Sequence, residues 1–257
     1  MQQLDWALQF YDMGEAHSYA MHINYIDFRS FDLPQPIYIN MVRDPVERVI
    51  SWYFYMRTPW RAVQRYRRVK TFHSSKFYKK DFAQCVKSKD RECLFIQDGQ
   101  FRDTEASHIR QTLFFCGHHK DCEPFNSAGA LQRAKQKVES EYAVVGSWED
   151  VNVTLNVLEN YIPRYFKGAT QLYYGMLSLT KSTNVGYNVK CIILLIYLFL
   201  DKDTGLFNEK RNVNSWKPPI DEEIKNIIRH NFTREYEFYY FCKQRLYKQY
   251  LALGNLF

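Results

Sequence analysis

The chain has 257 residues, of which 46% are apolar, 25% charged and 17% aromatic. That length holds one large domain or two small ones and can bury a sizeable core. The composition excludes a disordered tail, a collagen and a low-complexity linker.

A net charge of +7 admits an anionic partner such as nucleic acid, phospholipid or acidic polysaccharide. Its placement says more. Nine basic residues and no acidic ones fall between Arg57 and Lys80: Arg57, Arg61, Arg65, Arg67, Arg68, Lys70, Lys76, Lys79 and Lys80. Outside that stretch 26 basic side chains face 28 acidic ones. A histone-like or ribosomal protein would spread its charge; here it is one patch on a slightly acidic chain. The 20 Tyr and 19 Phe predict an aromatic-rich interior.

Met1 opens on MQQLDWALQFYDMGEA, which has neither the basic region nor the apolar core of a signal peptide. Residues 37–42, IYINMV, read as a buried strand. Arg43-Asp44-Pro45 stops it, with Asp44 suited to the N-cap and Pro45 to the first helical position. The following helix places Val46, Val49, Ile50, Tyr53 and Phe54 on one face. Residues 57–80 read as a basic loop with helical pieces, and 130–141 as a polar helix. EYAVVGSWED (141–150) repeats the strand-to-helix pattern, with Ala143–Val145 as strand, Ser147 as cap and Val151–Tyr161 as helix ended by Pro163. Ile220–Tyr250 reads as a long helix or a helix pair. Buried strands alternating with helices point to an α/β fold with a parallel sheet. The segment 185–207 fits least well. It reads either as a buried element or as a foreign insertion. Its apolar run CIILLIYLFL (191–200) is half the length that a membrane span needs.

Cys85 and Cys93 enclose a short polar loop, and so do Cys116 and Cys122. Both spacings fit local disulfides, while Cys191 and Cys242 read as buried free thiols. A zinc site of Cys116, His118, His119 and Cys122 is the weaker alternative, since structural zinc sites join two separated ligand pairs. The sequons at Asn152 and Asn231, with the paired cysteines, lean towards a secretory lumen and against a nucleic-acid partner. Arg43 lies where a strand meets a helix N-terminus, a place that favours anions. Ser51 follows two turns later. Arginine clamps phosphate and serine adds a donor; the plainer alternative pairs Arg43 with Asp44 or Glu47.

PIYINMVRDPVERVISWYFYMR (36–57) resembles the 3′-phosphate-binding strand–turn–helix of Golgi heparan sulfate and uronyl 2-O-sulfotransferases, including the insect Pipe-type members. FFCGHHKDC (114–122), EYAVVGSWED (141–150), IPRYFKGATQLYYG (162–175) and REYEFYYF (234–241) extend the likeness in the family's order. The resemblance implies one P-loop-like sulfotransferase domain over 1–257, with a central parallel sheet flanked by helices. It implies transfer of a sulfuryl group from 3′-phosphoadenosine 5′-phosphosulfate (PAPS), with no metal, to a uronic acid 2-hydroxyl. The acceptor would be a heparan or dermatan/chondroitin glycosaminoglycan. It also implies the lumenal side of the Golgi membrane and a homo-oligomer, a trimer in the heparan-type members.

By the same resemblance the donor contacts map onto Arg43, Ser51, Tyr173, Ser178 and Thr183. The catalytic base maps onto His22 in MHINYIDF, where the family's second histidine is replaced by Ala20. A histidine with pKa near neutrality can take the proton of a sugar hydroxyl as sulfur is attacked. Tyr53, Arg65, Arg67 and Arg68 become candidates for holding the acidic chain, and the two disulfides match the family's own. The family's Pro-Lys-Thr phosphosulfate loop has no counterpart before His22, and Thr180-Lys181-Ser182-Thr183 falls in the wrong place for it. The chain is therefore expected to lack its first strand and donor loop, and to transfer weakly. A sulfotransferase-like protein that only binds acidic polysaccharide is the competing expectation.

Overall fold

β-Branched and aromatic residues form two short strands, β1 (Tyr38–Val42) and β2 (Tyr142–Ser147). They pair in parallel, Ile39 opposite Val144 and Val42 opposite Ser147. Parallel partners need a long crossover, and here it carries every helix of the basic and cysteine-rich regions. The computed structural model describes residues 23–99, 110–182 and 217–254, with backbone only for 176–182. Among these residues the sheet has two strands with helices packed around it, the expected α/β arrangement.

The helix after β1, α1 (Pro45–Met56), starts as its sequence requires. The Asp44 carboxylate accepts from Glu47 N at 2.9 Å, and Pro45 occupies the first turn. Val46, Val49, Ile50, Tyr53 and Met56 are buried, with Phe54 packed against the same core. The basic stretch is more regular than a loop. It forms α2 (Pro59–Val69), capped by Thr58, and α3 (Ser75–Lys79), capped by Ser74. Short α4 (Phe82–Lys87) and α5 (Gln111–Cys116) hold the disulfides Cys85–Cys93 and Cys116–Cys122. The second bridge removes both thiolates that a zinc site would have used. Cys242 is a buried free thiol as expected, and Cys191 lies outside the described residues.

α6 (Ala128–Ser140) leads into β2, and α7 (Val151–Tyr161) follows it. Asp150, not Ser147, stands at the N-cap of α7. Ser147 is the last residue of β2 and is sutured to the helix by Thr154, whose Oγ1 accepts from Ser147 N at 2.9 Å and donates to Ser147 O at 3.1 Å. Only glycine fits beside that suture, because a Cβ on Gly146 would lie 2.4 Å from Thr154 Cγ2. Then come α8 (Pro163–Phe166), α9 (Ala169–Ser182), α10 (Glu222–Asn231) and α11 (Thr233–Gly254), so the C-terminal segment is a helix pair. α11 packs on β2, α6 and α7. Phe82, Phe115, Phe125, Phe232 and Phe238 are fully buried, and Phe232 sits T-shaped to both Phe95 and Phe125 at 5.0 and 4.7 Å. The interior is aromatic, as the composition requires. Among the described residues no helix is long and apolar enough to cross a membrane.

Candidate anion-binding site

Arg43 is the first residue beyond the β1–β2 ladder and immediately precedes the cap of α1. Its position is fixed from several sides. Gln111 bonds both backbone polar groups, accepting from Arg43 N at 2.8 Å and donating Nε2–H to Arg43 O at 2.7 Å. Trp148 N donates to Val42 O at 2.9 Å, and the Trp148 ring lies 5.9 Å from the Arg43 guanidinium carbon. Asp44 is held just as firmly. Its N–H donates to Glu149, and its carboxylate accepts from the Tyr236 hydroxyl at 3.0 and 2.9 Å.

A cavity of about 390 Å³ opens at this turn, lined by Arg43, Asp44, Val46, Glu47, Trp148, Glu149, Lys225 and Arg229. A second, of about 480 Å³, shares Glu47 and Lys225 and extends along Ile50 to Lys217–Ile220. The carboxylates at the cavity are engaged. Glu47 pairs with Lys217 at 3.1 Å and Lys225 at 2.9 Å, while Glu149 accepts from Tyr239 and Asp44 from Tyr236. Among the described residues no carboxylate comes within ion-pair distance of the Arg43 guanidinium. Sequence alone left open a plain Arg43–Asp44 or Arg43–Glu47 pair, and neither forms. Burial pulls Arg43 below the usual guanidinium range, opposed by the field of Glu47, Glu149 and Asp44. A desolvated cation beside a helix N-terminus, facing a cavity, is suited to an anion. Ser51 is half-buried one turn after Glu47 on the same face of α1, and it lines neither cavity.

The other expected residues are placed differently. Tyr53 is buried; its hydroxyl donates to Lys80 O at 2.9 Å and its ring lies 3.4 Å below the Arg57 guanidinium. Arg57 pairs with Glu92, and Lys80 with Asp90 and Glu92, inside the Cys85–Cys93 loop. Two of the nine patch cations are thus neutralised. Arg67 and Arg68 are exposed on α2 and Arg65 is half-buried there. Tyr173 is packed in the core cluster of α7 to α9, T-shaped to Tyr174, and does not line the Arg43 cavity. His22, Thr183 and the segment 185–207 lie outside the described residues, as does the Ser178 side chain. Asn152 is exposed on α7, and Asn231 is half-buried at the end of α10.

Fold and site together define an α/β protein whose strand–turn–helix sets a desolvated arginine beside a cavity. The chain belongs to the sulfotransferase family, whose model matches residues 5–241. It is 44% identical over 248 residues to the uronyl 2-sulfotransferase homolog pip of Drosophila melanogaster, covering 93% of this chain and 42% of that protein. It is 35% identical over 158 residues to heparan sulfate 2-O-sulfotransferase 1 of Gallus gallus and of Homo sapiens, covering 60% of this chain and 40% of each. The chain therefore spans well under half the length of these relatives.

Proposed function

We propose that this chain binds PAPS and serves the transfer of its sulfuryl group to the 2-hydroxyl of a uronic acid in a glycosaminoglycan. The observation that carries the reading is the Arg43 guanidinium, desolvated at a helix N-terminus, facing a cavity and unpaired by any described carboxylate. The names of the relatives supply the substrate class. PAPS would supply the electrophilic sulfur and an adenosine bisphosphate leaving group. Arg43 and Ser51 would hold the 3′-phosphate, one by charge-assisted hydrogen bonds and one by a hydroxyl. His22 would accept the acceptor hydroxyl's proton on a ring nitrogen. Tyr173, Ser178 and Thr183 remain the family-derived positions for further donor contacts, and Tyr173 would reach the donor only if its packing shifted.

Arg65, Arg67 and Arg68 would bind the acidic chain from α2, through several weak contacts with counterion release. The proposed setting is the Golgi lumen, where the two disulfides persist and Asn152 and Asn231 would be glycosylated. Isothermal titration with adenosine 3′,5′-bisphosphate tests the donor assignment. One-to-one binding that Arg43→Ala weakens at least tenfold is expected. Absence of nucleotide binding to the intact chain would remove the reading.

A further inference from the structure

We propose that Gln111 is a positioning residue for the anion-binding Arg43, acting as a one-residue extension of the sheet. The inference rests on Arg43 holding the 3′-phosphate. β1 ends at Val42, where Val42 faces Ser147 in the last ladder pair, so among the described residues Arg43 has no strand neighbour for its N–H and C=O. The Gln111 side chain, 1% exposed, takes that place with a donor and an acceptor at 2.7 and 2.8 Å. Besides asparagine, no other side chain presents an N–H and a C=O side by side as a neighbouring peptide does. The anchor is itself anchored. Gln111 N donates to Glu235 Oε2 at 2.8 Å, and Thr112 donates its N–H to the same oxygen and its hydroxyl to Oε1. Glu235 is fully buried in the first turn of α11. The next residue, Tyr236, holds the Asp44 cap. Two consecutive residues of the C-terminal helix pair thus grip the two residues of the turn, Glu235 through Gln111 and Tyr236 directly. With its backbone bonded through both N–H and C=O, Arg43 presents its side chain to the cavity from a fixed backbone, which lowers the ordering cost of binding.

The test compares adenosine 3′,5′-bisphosphate with adenosine 5′-monophosphate on the whole chain. Gln111→Met keeps length and bulk and removes the amide. It should lose about tenfold in affinity for the bisphosphate and leave the monophosphate unchanged. Arg43→Ala should lose the same preference, and the double variant should lose no more than Arg43→Ala alone. Equal weakening of both nucleotides by Gln111→Met, or additive losses in the double variant, would overturn the proposal. If Gln111→Met does not fold, Gln111→Glu, which keeps the acceptor for Arg43 N, is judged by the same two ratios. A wild-type chain that binds both nucleotides equally would instead bring down the assignment of Arg43, and Gln111 with it.

Discussion

Glu235 is a carboxyl group with no exposure, tied to Thr112 and to the N–H groups of Gln111 and Thr112. Burial raises it above the ordinary value of 4.5, against the pull of those bonds and of Arg48. Arg48 in turn is brought down by burial to about 10 and lies 5.2 Å from the centre of the Phe114 ring. Between its unfolded and folded values Glu235 binds more protons when folded, so its contribution is complete below the ordinary value and is lost as pH rises through the folded one. Glu235→Gln, which cannot ionise, should lose less stability than the wild type as pH rises above the ordinary carboxyl value, read in urea titrations. A steeper loss in the variant would contradict the raised value. The Arg43-Asp44-Pro45 turn was legible in sequence because capping chemistry is local: Asp44 needs only Glu47 N, three residues away. Gln111, Glu235 and Tyr236 were not legible, because their partners lie 68, 124 and 192 residues away and no short motif carries such a contact.

Both strands are fastened at their C-terminal ends by side chains. β1 is held past its end by Gln111, and β2 at its end by Thr154, which bonds both backbone groups of Ser147. The second fastening leaves no room at Gly146. Gly146→Ala should destabilise by about 1–3 kcal/mol through overpacking, read as a lower urea midpoint. Sequence assigned Ser147 the wrong role because a serine before a helix resembles a cap, whereas strand pairing runs two residues further than its apolar run. The basic segment holds the helical pieces expected of it, and more of them. α2 and α3 carry their own Thr58 and Ser74 caps, and the acids that neutralise Arg57 and Lys80 arrive from the Cys85–Cys93 loop. Replacing both Cys85 and Cys93 by serine should cost about 2–4 kcal/mol and free Asp90 and Glu92 from those cations.

Across the whole molecule the positive charge is narrower than the sequence suggests. With Arg57 and Lys80 paired, the cations of this segment that form no ion pair among the described residues include Arg65, Arg67 and Arg68 on α2, the proposed contacts for the acidic chain. Alanine at those three arginines should reduce the salt dependence of heparin binding by roughly one unit of slope per residue removed. Lys80→Gln should leave that slope nearly unchanged; an equal loss would show that Lys80 is available to the ligand. The α/β class and the parallel pairing were readable from apolar runs and caps, while the packing of α11 against β2 was not, because a Tyr- and Phe-rich helix does not reveal which face it buries. Thermal unfolding with adenosine 3′,5′-bisphosphate and with heparin, added separately, decides whether a nucleotide site lies at Arg43. The nucleotide should raise the melting temperature of the wild type and not of Arg43→Ala. A rise with heparin alone, and none with the nucleotide, would contradict it.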